Sequence, residues 1–139
     1  MQSQTQKNLS YEQALLLTEK AVARAKELGI NISVALVCRG GYLVAFQRMD
    51  KAKIFSIDLA IKKAYTAAIT QVDTHNWEEW AKTRSLFGIE SDNRLVLFSG
   101  GIKIVEGNEV IGGIGVSGGT PEQDRICSEA AVNALSEKR

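Results

Sequence analysis

Residues 111–124, IGGIGVSGGTPEQD, constrain this chain most, because they join a glycine-rich strand, a tight turn and a capped helix start. Val110, Ile111, Ile114 and Val116 favour a strand, while Gly112, Gly113 and Gly115 clear room for another backbone or a ligand to approach. After Ser117, Gly118 and Gly119, Thr120 reads as an N-cap, Pro121 as the first helical residue and Gln123 as the capping-box partner. The unpaired N–H groups of such a helix start can receive a carboxylate or phosphate. A plain strand-to-helix connection stands ahead of an anion site, since capping boxes are common and SGG is not a phosphate fingerprint. Gly113, Gly115 and Gly118 spell G-x-G-x-x-G, but inside the strand and without a surrounding βαβ pattern, which argues against a dinucleotide site.

The 139 residues suit one domain that needs no disulfide staples. A net charge of +1 and an aromatic content of 6% supply neither a basic field nor a stacking platform, which argues against nucleic acid. No run is long and apolar enough for a membrane span, and MQSQTQKN is not a signal peptide, so a cytoplasmic location is expected. Cys38 and Cys127 fall in different elements without metal-ligand spacing, so two buried thiols are expected, with no metal site and no disulfide framework.

In chain order, residues 1–8 read as a frayed polar lead-in, and residues 9–139 as the single domain. Ser10 and Gln13 form a capping box for a first helix whose buried face is read through Tyr11, Ala14, Leu15, Thr18, Ala21, Val22, Ala25 and Leu28 and which Gly29 can end. Residues 32–38 and 43–49 form a hairpin through Arg39, Gly40, Gly41 and Tyr42. Ile32, Val34, Leu36 and Cys38 share one face, and Ser33, Ala35 and Val37 the other, so both faces are covered. Residues 56–69 make an alanine-faced helix, on which spacing alone leaves Lys62 and Lys63 to solvent. Asp73 or Thr74 caps a short helix holding His75, Trp77 and Trp80, and residues 85–94 read as loop. Residues 95–98, 102–106 and 110–117 add three strands, and a last helix follows with Cys127, Ala130, Ala131 and Ala134 on one face. The fold class is α+β, with a five-stranded, mainly antiparallel sheet between helices.

The chain resembles the GlcG, HbpS and PduO C-terminal-domain group of haem-degrading or haem-binding proteins. The motifs that carry the likeness are GGYLVAFQRMD at 40–50, AIKKAYTA at 60–67, LFSGGIKI at 97–104 and IGGIGVSGGTPEQD, within a match from Leu9 to Leu135. THNWEEW at 74–80 is most similar to members associated with propanediol or glycerol dehydratase systems. The resemblance implies a profilin-like sheet, a homo-oligomer and, in some members, bound haem. It also implies a ligand pocket at Lys63, Tyr65, Thr66, Ser117, Gly118, Gly119 and Asp124, where Lys63 pairs either with an acidic ligand or with Asp124 in a purely structural ion pair. Tyr42 stands where many members have His or Asn, and a haem iron would need an axial donor from His75, Tyr42 or Tyr65.

No catalytic triad, acid and base pair or metal cluster is recognisable, which argues against a conventional enzyme. The adenosyltransferase activity of fused relatives belongs to a separate domain. The expected function is a cytoplasmic tetrapyrrole-binding accessory protein, haem before corrinoid, for diol, glycerol or glycolate metabolism. Dehydratase or adenosyltransferase systems are the expected partners. The alternatives are an enzyme or sensor for a small hydroxy acid or aldehyde at the Gly118 turn, and an oligomeric scaffold without ligand.

Overall fold

The computed structural model describes residues 1–84 and 91–137. Their order is α1 (Tyr11–Leu28), β1 (Ser33–Cys38), β2 (Leu43–Arg48), α2 (Ser56–Thr70), α3 (Thr74–Thr83), β3 (Gly101–Glu106), β4 (Glu109–Ser117) and α4 (Pro121–Glu137). The expected loop at 85–94 falls partly on residues 85–90, outside the described residues.

Both sequence-read capping boxes form. Ser10 Oγ accepts from Gln13 N while Gln13 Oε1 accepts from Ser10 N, and Thr120 and Gln123 make the same reciprocal pair at α4. Of the face read for α1, Ala14, Thr18, Ala21 and Ala25 are buried together with Leu17, whereas Tyr11 and Leu15 lie on the exposed flank. Gly29 ends α1 at φ 72°, in the left-handed region where the absence of a Cβ removes the penalty. Lys7 and Asn8 are tied down: Lys7 N donates to Glu109, and Asn8 Oδ1 accepts from Arg39 N.

Among the described residues the sheet has four antiparallel strands in the order β2-β1-β4-β3, not the five expected. The segment read as a further strand, residues 95–98, has strand-forming side chains, but Leu95 N turns back to Asp92 O and Val96 N is taken by a side chain rather than by a ladder. Val96 N donates to Thr66 Oγ1, and just beyond it Ser99 N donates to Glu78 Oε2. The outer edge of β3 is closed in the same way, with Gly101 N bonded to Thr74 Oγ1 and Lys103 N to Asp73 Oδ1. Edge groups bonded this way cannot template a further strand. Asp73 precedes α3 but makes no capping bond, because its carboxylate serves β3 instead.

Period-two alternation assigns the two faces of β1. Ile32, Val34 and Leu36 pack with Ile102, Ile104, Ile114 and Val116 under α1 and α4, while Ala35 and Val37 face Ala60, Ala64 and Ala68 of α2. The glycines of β4 let α2 lie against the sheet. A Cβ at Gly113 would meet Ala64 O, and one at Gly115 would meet Ala60 O. The close approach that the glycine stretch foretold is therefore made by a neighbouring backbone.

Candidate functional site

The residues expected to line a pocket divide between two places. Lys63, Ser117, Gly118, Gly119 and Asp124 meet where β4 turns into α4. Contrary to the solvent-facing reading of both lysines, Lys63 is buried, its Nζ donating to Val116 O at 2.9 Å and to Asp124 Oδ2 at 3.0 Å. The other carboxylate oxygen of Asp124 accepts from Gly119 N at 2.8 Å. The chain's own groups thus take up donors of the turn and helix start, Asp124 the Gly119 N–H and Thr120 Oγ1 the Gln123 N–H. Burial lowers the Lys63 pKa and raises that of Asp124, each against the pull of its partner. Thr66, also buried, spends its hydroxyl on Lys62 O and Val96 N.

Tyr65 points elsewhere. Together with Gly40, Gly41 and Tyr42 of the β1–β2 hairpin, Asp58, Ile61 and Lys62 of α2, and Arg94, it lines a cleft of about 350 Å³. That volume lies in the range of small-molecule sites. Gly41, at φ 84°, brings the hairpin against Tyr65, since a Cβ there would sit 2.7 Å from the ring. The Arg94 guanidinium stands 4.6 Å above the Tyr65 ring centroid and is gripped by both carboxylate oxygens of Asp92, each at 3.1 Å. This aromatic stacking and fork-to-carboxylate geometry are what arginine provides and lysine does not. Asp92 raises the Arg94 pKa through that hydrogen bond, and the Tyr65 and Tyr42 phenols add smaller contributions.

Sequence reasoning named both tyrosines but missed Arg94, Asp92, Asp58 and a role for Lys62 in this cleft. The glycine pair at 40–41, beside an aromatic, was the one local signal of a close approach. Arg94 sits in an irregular segment whose periodicity says nothing about its neighbours.

His75 is on α3, outside the residues lining the cleft, with Nε2 3.9 Å from Asp73 Oδ2. Trp77 and Trp80 meet edge to face at 5.3 Å, Trp77 Nε1 donates to Thr70 Oγ1, and Arg84 lies 5.2 Å from the Trp80 ring centre. Of the two thiols expected to be buried, Cys38 is partly exposed at the end of β1, whereas Cys127 is buried with its pKa pushed up to about 11, by burial first, which leaves it little thiolate character. Among the described residues no three His, Cys, Asp or Glu side chains cluster as a metal site.

Residues 9–133 match the family model described as haem degrading protein HbpS-like. The chain belongs to the HbpS-like family. An HbpS-like relative, the uncharacterized 15.0 kDa protein in the dhaT-dhaS intergenic region of Citrobacter freundii, is 37% identical over 124 residues, 87% of either chain. The crystal structure of Klebsiella pneumoniae protein ORFY superposes with a TM-score of 0.92 at 31% identity, covering 98% of this chain and 96% of that one. The structure of the PduOC:haem complex superposes at 0.86 with 35% identity, covering 91% and 94%.

The cleft of this HbpS-like chain has the chemistry that a haem requires. Ile61 and the tyrosine rings offer apolar and aromatic walls, Lys62 and the Asp92-paired Arg94 offer cations beside the Asp58 carboxylate, and the phenols offer oxygen donors. The Gly118 turn offers less, because Asp124 already occupies its donors.

Proposed function

We propose that this chain is a small tetrapyrrole-binding accessory protein that takes haem, and with lower preference a corrinoid, at the Tyr42–Tyr65–Arg94 cleft. The observation that carries this reading is the placing of two phenols and two cations, with one carboxylate, Asp58, around one partly apolar cleft. Tyr65 and Ile61 form a wall for a flat macrocycle, and Lys62 and Arg94 pair with its carboxylates. Arg94 is held ready by Asp92, so little side-chain entropy is lost on pairing. A corrinoid carries neutral amides where haem has propionates, so paired cations favour haem. Bound haem would supply an iron centre open to ligand exchange and electron transfer.

The family match and the PduOC:haem relative support this reading, and the Citrobacter relative's dhaT-dhaS location supports an accessory role beside diol or glycerol metabolism. Dehydratase or adenosyltransferase systems are the partners we assign. A cytoplasmic setting accords with two free cysteines, and no helix among the described residues is long and apolar enough to cross a membrane. We further propose a homo-oligomer that buries Trp77 and Trp80.

Titration of the purified full chain with haemin and, separately, with cobalamin tests the assignment. A saturable, stoichiometric spectral shift with haemin is expected, with cobalamin weaker. Binding of neither at micromolar concentration rejects a tetrapyrrole role.

A further inference from the structure

Resting on the tetrapyrrole reading, we infer that Tyr42 is the iron donor of the cleft and makes the site selective for ferric over ferrous haem, which it releases on reduction. Protein donors to haem iron are imidazole, thiolate, thioether or phenolate. Among the described residues the lining includes no His, Cys or Met, and the ammonium of Lys62 has no lone pair to give. That leaves the two phenols.

Their surroundings separate them. Tyr65 is half-buried, with Arg94 above its ring and the Gly41 backbone pressed close to it, so it serves as a wall. Tyr42 is 78% exposed on the hairpin, and its side chain has freedom to turn toward a ligand seated against Tyr65. Phenolate is a hard anionic oxygen donor, so it gains more from Fe(III) than from Fe(II), which carries one positive charge less. Arg94, fixed by Asp92, stands over the Tyr65 ring and helps to hold that wall of the cleft in place.

The proton and electron balance follows. As Tyr42 binds ferric haem, its O–H bond breaks, the proton goes to water and an O–Fe bond forms. When an external one-electron donor reduces the iron, the O–Fe bond breaks and the phenolate takes a proton back from water. An HbpS-like protein with this donor would hold haem under oxidising conditions and surrender it under reducing ones.

The test is a pair of anaerobic titrations of the full chain, one with haemin and one with haem reduced by dithionite. The ferric form should bind at least tenfold more tightly, equivalent to a haem potential lowered by about 59 mV. The ferric complex should show a phenolate-to-iron charge-transfer band. Tyr42→Phe should abolish that band and lower ferric affinity tenfold or more, while Tyr65→Phe, His75→Ala and Cys38→Ser should keep it. The exposed hairpin position lets Tyr42→Phe fold normally, which circular dichroism checks. Equal affinity for the two oxidation states, or a band that survives Tyr42→Phe, overturns the inference and leaves haem binding intact. Failure of both forms to bind overturns it together with the tetrapyrrole reading.

Discussion

Lys63 of α2 and Asp124 of α4 meet at 3.0 Å in the interior, with side chains only 2% and 4% exposed. Gly119 N and Val116 O complete their hydrogen bonding, so the pair locks the β4–α4 turn against α2. Removing one partner strands the other charge in a poorly solvated place. Lys63→Met and Asp124→Leu should each cost about 3–5 kcal/mol, whereas the double variant should recover most of that loss. Urea unfolding of the three variants checks this, and single losses below about 1 kcal/mol would place the pair energetically at the surface.

The same pair sets a pH signature. Burial holds the folded Lys63 pKa below the usual 10.5, so between the two values the unfolded chain binds more protons and stability rises with pH. Folded Asp124 lies above the usual 3.8, so in that window the folded chain binds more protons and stability rises as pH falls. The stability of the wild type relative to the double variant should therefore be lowest near neutrality and increase in both directions. A difference that stays flat from pH 3 to pH 11, across both reference values, contradicts the assigned shifts.

Gly115→Ala should destabilise by about 1–3 kcal/mol, because the new methyl group would meet Ala60 O and stand 2.5 Å from Ala64 N, and backbone cannot swing aside as a side chain does. Thermal melting measures it. An unchanged melting temperature would mean that α2 can lift from the sheet without penalty.

Asp73→Ala should free Lys103 N at the outer edge of β3 and cost about 1–2 kcal/mol. Faster aggregation on mild heating should accompany that loss, since an unpaired edge can recruit another strand. Static light scattering during a temperature ramp reads both. A variant that melts lower without aggregating would limit Asp73 to a stabilising bond.

Trp80→Ala tests assembly. A tryptophan at an interface hot spot contributes more than about 2 kcal/mol, so its loss should shift an oligomer toward smaller species in light scattering. A monomeric wild type rejects the oligomer. Retained mass with earlier melting assigns Trp80 to packing against Trp77 within one subunit.

What the sequence determined by itself was what depends on near neighbours along the chain. The Ser10–Gln13 and Thr120–Gln123 caps, the alternation in β1 and the alanine face of α2 all appear as read, because each rests on contacts within a few residues or on one period. Residues 95–98 have strand propensity too, yet Val96 N is taken by Thr66 of α2 and the adjoining Ser99 N by Glu78 of α3, side chains that arrive from other elements. Helical spacing left Lys63 to solvent; the family resemblance offered Asp124 as one of two partners, and the fold sets that residue, 61 positions away, against it. The cleft is tertiary in the same sense: the hairpin brings Tyr42, α2 brings Tyr65 and Lys62, and an irregular segment brings Arg94. Local hydrogen bonding and periodicity are encoded in adjacent residues, but the burial of a charge and the convergence of donors exist only once distant segments have packed.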